Sequence, residues 1–191
     1  MRAPLRLVAT VLLISLLAAC AGPRAPQRLP QSNLDIESFA LSGRVAVRAD
    51  DRGYSATLRW KHRADADSLR LFSPLGNVIA DVEVNERGAM LTTGDRKEYR
   101  SDDVQALTRQ VLGWDLPLSG LQHWVLGRAD PALPVQAEAR DAGNRLTRLS
   151  QNEWRITYLE YAGDSALPAR MTLAHERLSL RLVVDRWDLP E

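Results

Sequence analysis

The sequence predicts a mainly β domain: one antiparallel sheet curled into a barrel or partial barrel, with short helices on or in its opening. Three observations predict it. Apolar and polar residues alternate with a period of two in about ten short stretches. Tight turns rich in Gly, Asn and Asp join most of them, too short for the crossover helices of a parallel sheet. Only two stretches carry a helical period, and a sheet of so many strands curls or closes rather than lying flat.

The first strand begins at Phe39. Phe39, Leu41, Gly43, Val45 and Val47 share one face, and Ala40, Ser42, Arg44, Ala46 and Arg48 share the other. Asp50-Asp51-Arg52-Gly53 turns the chain, and Tyr54, Ala56, Leu58 and Trp60 carry the apolar face onward. Leu69 and Leu71 mark a third strand, and Val78, Ala80, Val82 and Val84 a fourth. Between them Ser73-Pro74-Leu75-Gly76-Asn77 reads as a turn: Pro presets φ, and Gly two places later supplies the positive φ of a type II turn. Leu75 is unusual at a hairpin tip. Either it folds back onto a neighbouring core, or it is an apolar probe for a membrane or a ligand. Asn85-Glu86-Arg87-Gly88 makes the next turn, followed by a short hairpin, Ala89 to Thr93 and Glu98 to Arg100.

The period then changes. Ser101 is the expected N-cap, Asp102 and Asp103 suit the positive start of a helix, and Val104, Leu107, Val111 and Leu112 form its stripe before Gly113. A second helix is expected from Leu118 to Leu126, with Leu118, Leu121, Trp124 and Val125 on one side. These stripes either make ordinary core contacts or plug the mouth of the curved sheet. Strands resume over Pro134 to Ala139, Leu146 to Gln151, Trp154 to Tyr161, Ala169 to Ala174 and Leu178 to Trp187. In the last, Leu178, Leu180, Leu182 and Val184 face one way while Arg177, Arg181 and Asp185 face the other.

Composition bounds the rest. With 45% apolar and 26% charged residues over 191 positions, one domain with a sizeable core is expected. The net charge is +1, and Arg2 and Arg6 fall in the N-terminal leader, so nothing in the overall charge indicates a nucleic-acid partner. Those two arginines precede the apolar run Leu7 to Leu17, which is too short for an ordinary membrane span and ends in Leu17-Ala18-Ala19-Cys20. Residues 1–19 thus read as a secretory signal peptide. Their end resembles a bacterial lipobox, which implies cleavage before Cys20, a diacylglycerol on its sulfur and an acyl chain on its new amino group. Cys20 is the only cysteine, so no disulfide competes for it. Ala21 beside it, by analogy with lipoprotein sorting, points to the outer membrane. Residues 20–33, with Pro23, Pro26 and Pro30, read as lipidated cysteine and Pro-rich tether, and 34–191 as the folded domain.

No reaction centre is visible. The sequence has no G-x-S-x-G, no phosphate loop and no free nucleophilic cysteine. His62, His123 and His175 lack zinc-site spacing and read as surface or rim residues. Asp65/Asp67 and Asp102/Asp103 fit a turn and a helix start. No catalytic residue, metal or dissociable cofactor is expected. The five tryptophans are either core or the lining of a cavity.

Five segments carry a resemblance to a known family. Leu41-Ser42-Gly43-Arg44, Ser73-Pro74-Leu75-Gly76, Leu112-Gly113-Trp114-x-Leu116-Pro117-Leu118 with Trp124 and Gly127, Trp154-x-Ile156-x-Tyr158, and Val183-Val184-Asp185-x-Trp187 resemble the outer-membrane lipoprotein receptors of the LolB family, from about residue 34 to 188. The resemblance implies a half-open antiparallel barrel covered by helices, related to the LolA fold. It implies an apolar interior for acyl chains, with lipoproteins taken from the periplasmic carrier LolA and inserted into the inner leaflet of the outer membrane. A lipid-anchored monomer facing the periplasm is expected. Pro74, Leu75 and Gly76 correspond to the family's membrane-inserting loop. The interior would be lined by Leu41, Val45, Leu58, Trp60 and Leu71 from the first strands, and by Leu107, Val111, Leu121 and Trp124 from the helices. Trp154, Ile156, Leu180 and Leu182 would complete it. Two other classes stay open: an envelope sensor or structural module with the same fold, and a lipoprotein hydrolase whose carboxylates meet only in three dimensions.

Overall fold

The computed structural model describes residues 29–190; the expected leader and Cys20 lie outside them. Eleven strands form a single antiparallel sheet. The first six are β1 (Phe39–Ala49), β2 (Arg52–Arg63), β3 (Ala66–Phe72), β4 (Val78–Asn85), β5 (Gly88–Thr93) and β6 (Glu98–Ser101). After two helices come β7 (Val135–Arg140), β8 (Leu146–Gln151), β9 (Trp154–Tyr161), β10 (Pro168–His175) and β11 (Leu178–Asp188). The alternation places these strands to within about three residues.

What the alternation does not contain is their order, β6-β5-β4-β3-β2-β1-β11-β10-β9-β8-β7. Two meanders meet at one seam, where β1 pairs with β11 from Ala40↔Asp188 to Ala49↔Leu178. The seam is tight: a Cβ on Gly43 would lie 2.2 Å from the carbonyl oxygen of Val183, and the register shifts at Ser42/Gly43. That bulge bends the sheet at its centre. β6 and β7 are its two outer edges and do not pair, so the barrel stays half open.

The connection between those edges carries α1 (Val104–Leu112) and α2 (Leu118–Trp124). α1 packs against β5 and β6. α2 reaches the opposite meander, where the Trp124 indole N–H donates to Gln151 Oε1 at 3.0 Å and the Tyr158 hydroxyl donates to the Trp124 carbonyl at 3.0 Å. Burial pushes the Tyr158 pKa up, keeping the hydroxyl a donor. The helices therefore roof the concave face. α1 is capped by Asp103, whose carboxylate accepts from the Gln105 N–H at 2.8 Å, and not by Ser101. Ser101 closes β6, and its hydroxyl accepts from the Asp103 N–H instead. The second helix ends at Trp124, two residues before the expected Leu126, with Val125 as its C-cap.

The tether expected over 20–33 differs at its described end. The Arg128 guanidinium donates to the carbonyls of Asn33, Leu34 and Ile36 at 3.0–3.1 Å. The Asn33 amide donates to the Leu126 carbonyl, and the Ala166 N–H to the Pro30 carbonyl. Residues 29–36 are thus strapped to the domain beside the end of α2, because one cation satisfies three backbone acceptors at once.

Candidate functional site

Between the roof and the concave face lies a cavity of about 50 Å³ with no polar lining surface. β1, β2, β3, β4, β10 and β11 each turn one apolar row toward it, since successive strand side chains alternate faces. Of the expected lining, Val45, Leu58, Trp60, Leu71, Leu121, Leu180 and Leu182 border it. The other borders are Leu69, Val82, Leu112, Trp114, Leu116, Val125 and Leu173. Leu69 and Val82 carried the alternation that could have nominated them. Leu112 lay on the helical stripe as well, whereas Trp114 and Leu116 did not, because they sit beyond the end of α1, where no period holds.

Leu41, Leu107, Val111, Trp124, Trp154 and Ile156 do not border the cavity. Leu41 lies in register with Trp60 and Trp187. There Phe39 packs edge-on against both indoles, with ring centres 5.0 and 5.7 Å away, and seals that end. Leu107 is buried under α1, with Val111 half-covered beside it. Trp124 lies against Trp154 at 5.9 Å, and Trp154 stacks on His175 at 5.2 Å. Ile156 sits in register between Leu149 and Leu173. Trp124 and Trp154 border the open cleft beside His175 instead, and Leu41, Leu107 and Ile156 are buried in the core away from the cavity.

Two polar clusters inside are hydrogen-bonded. The Trp60 indole N–H donates to Asp67 Oδ1 at 2.7 Å, and the same oxygen lies 2.9 Å from His62 Nδ1. Gln151 accepts from Trp124 and from the Asp130 N–H, and donates to the Asp130 and Leu133 carbonyls. His62 and His123 are more covered than the rim positions expected for them, with side chains 13% and 19% exposed. His175 does lie at a rim, bordering an open polar cleft of about 420 Å³. Trp114 borders both this cleft and the apolar cavity and stands between them. Its loop is held to α1: the Thr108 hydroxyl accepts from the Leu116 N–H at 3.0 Å, and Arg109 pairs bidentately with Asp115. Among the described residues, no cluster of His, Cys, Asp or Glu could hold a metal ion.

The second candidate element is the turn between β3 and β4. The Gly76 N–H donates to the Ser73 carbonyl and the Ser73 N–H to the Asn77 carbonyl, both at 2.8 Å. Positive φ falls on Gly76, at 85°, and not on Leu75, so the turn is not type II. It is a tight hairpin loop with glycine just past the reversal. Leu75 sits at its apex, 89% exposed, and does not fold back onto the core. Val78 and Ile79, 42% and 39% exposed, extend the apolar surface below it.

A half-open antiparallel sheet roofed by helices over a wholly apolar cavity defines a class of protein that handles apolar ligands. The family comparison narrows the class. Residues 37–187 match the model of the family described as "Outer membrane lipoprotein LolB". Similar proteins named outer-membrane lipoprotein LolB occur in Nitrosomonas europaea (34% identical, covering 92% of this chain and 89% of the relative) and Nitrosococcus oceani (36%, covering 96% and 98%). Among solved structures, a DUF1329 family protein from Desulfovibrio piger shares the fold, with a TM-score of 0.53 at 9% identity over 82% of this chain and 87% of that one. The chain belongs to the LolB family, and it is an outer-membrane lipoprotein receptor rather than an enzyme.

Proposed function

We propose that this chain takes acylated lipoproteins from the soluble periplasmic carrier LolA, shelters their acyl chains beneath α1 and α2, and releases them into the inner leaflet of the outer membrane. It acts from an anchor on Cys20, which carries the diacylglycerol and N-acyl groups and holds the domain on the periplasmic side. The observation that carries this reading is the wholly apolar cavity under a helical roof.

The energetics favour a passive relay. Each methylene hidden from water contributes about 0.8 kcal/mol, so one acyl chain is worth on the order of 10 kcal/mol. No chain sheds that shelter to cross water unaided. A receptor that binds acyl chains more tightly than the carrier, and less tightly than the bilayer, draws cargo forward by differential affinity alone. The cavity of about 50 Å³ is far smaller than an acyl chain, so loading requires the roof to lift. Leu112, Trp114 and Leu116 are its moving wall, and the Thr108 and Arg109 contacts are its fastenings. Leu75 seats the released chain's path in lipid, where burying one leucine contributes about 1.5–3 kcal/mol.

The test is a transfer assay: LolA loaded with a labelled lipoprotein is mixed with the purified protein, and then with liposomes. Cargo is expected to move from carrier to receptor and then into lipid without nucleotide. Cargo that stays on the carrier would sink the reading.

A further inference from the structure

The convex face of the sheet carries a second organised feature, invisible in a net charge of +1. Cross-strand partners share a face, so the register maps this surface row by row. One row runs Arg148–Thr157–Thr172–Arg181–Ala46–Ser55 across β8, β9, β10, β11, β1 and β2. The adjacent row runs Ser150–Arg155–Ala174–Ser179–Arg48–Gly53. Four arginines therefore stand on a floor of small side chains. All four are exposed, and among the described residues none meets a carboxylate. The acids on neighbouring rows are already engaged: Asp185 with Arg44, and Glu160 with Arg170.

This face adjoins the β3–β4 turn. Pro74 lies in one shallow groove with Arg44, Ala46, Ser55, Thr57 and Arg181. Exposed Leu75 is thus the margin of an arginine surface. A bilayer containing anionic lipid offers both complements at once, hydrocarbon for the leucine and phosphates for the guanidinium groups. An acidic protein surface would complement only the charge.

We propose that the convex face of β8–β11 and β1–β2 docks on anionic phospholipid headgroups through Arg48, Arg148, Arg155 and Arg181, with the Leu75 turn as its apolar edge. The proposal rests on the reading of Leu75 as the lipid-seating tip. Docked this way, the concave face and its helical roof point away from the bilayer, toward a soluble carrier.

The test uses the Cys20→Ala chain, secreted on a cleavable leader so that no acyl anchor masks weak binding. It is co-sedimented with vesicles of phosphatidylcholine alone or mixed with phosphatidylglycerol. Binding to the mixed vesicles only is expected, weakening as salt rises. Replacing all four arginines (Arg48→Thr, Arg148→Thr, Arg155→Thr, Arg181→Thr) is expected to weaken it by on the order of a hundredfold or more, at about fivefold per arginine. Circular dichroism and binding of a fluorescent fatty acid are expected to stay unchanged. Equal binding of the fourfold variant, or equal binding to phosphatidylcholine alone, overturns the proposal. So does a loss of affinity for the loaded carrier with vesicle binding intact, which would give the face to a protein partner. Leu75→Glu is measured separately. If it leaves vesicle binding intact while the fourfold variant loses it, the tip reading fails and the arginine face stands.

Discussion

Leu75 at the β3–β4 turn is 89% exposed, while Leu69, on the strand that leads into that turn, is 4% exposed and borders the cavity. The two are the same residue type six positions apart. The turn's backbone hydrogen bonds and Gly76 hold one leucine out; strand alternation and the helical roof hold the other in. Exposure of an aliphatic side chain is here a property of its backbone, and the two regions divide the work between them. On the proposed function, the inside shelters hydrocarbon and the outside meets it in a bilayer. Removing each element in turn asks whether the division is real.

The largest effect is expected from Cys20→Ala. On the proposed anchoring it removes every acyl chain from the protein, and two or more chains make attachment effectively stable. The variant is expected to leave the membrane fraction while keeping the fold, since the described residues complete the sheet and roof without the anchor. Fractionation and circular dichroism check both halves. An unfolded soluble form would show that the anchor also supports the inside.

Next comes Trp60→Ala, aimed at the cavity wall. Trp60 is 2% exposed, packs edge-on against Phe39 and donates to Asp67. Truncation is expected to cost about 3–5 kcal/mol by chemical denaturation. Trp60→Phe keeps most of the volume and isolates the lost hydrogen bond, costing about 1–3 kcal/mol. A loss as large from Leu75→Ala would erase the distinction between the two leucine environments.

Leu75→Glu should do the reverse. Stability is expected to stay within about 0.5 kcal/mol, as for other exposed positions away from structural contacts. Cargo is still accepted from the carrier, but delivery to liposomes falls by about ten- to a hundredfold, the equivalent of the buried leucine. Undiminished delivery would remove Leu75 from the mechanism.

These contrasts were partly legible in the sequence. Alternation gave the strands, and it gave the face of every β residue that borders the cavity except Leu173. It could not say how full the space near each one is, which is why Leu41, Trp154 and Ile156 face inward without bordering the void. Trp114 and Leu116 were beyond its reach because their loop has no period, although their motif was conspicuous. The strap at 29–36 left no trace for a different reason. Its bonds run from Arg128 to backbone carbonyls, which every residue possesses. The arginine surface needed the strand order, since its rows cross a seam between residues far apart in the chain.

The smallest expected effect separates roof from tip by pH. His123 stands on α2, its ring Nδ1 buried with no partner and its Nε2 3.7 Å from the Asp130 carboxylate. Burial lowers its pKa from the ordinary 6.5; Asp130 opposes the shift, while Arg128 and His62 add to it. In the unfolded chain this histidine takes up a proton as pH falls through about 6.5, whereas the folded protein resists until a lower pH. The unfolded state then binds more protons, so the contribution is fully present above that pH and is lost as acidity increases. The turn around Leu75 carries no titrating group between Ser73 and Val78. Acidification from pH 7 to pH 5 is therefore expected to reduce hydrogen-exchange protection in α2 more than in the 73–77 turn, and to lower the melting temperature. His123→Gln, which keeps a polar side chain but cannot titrate, should flatten that part of the profile. An unchanged slope would assign the acid sensitivity elsewhere and leave the roof and the tip alike in their response to pH.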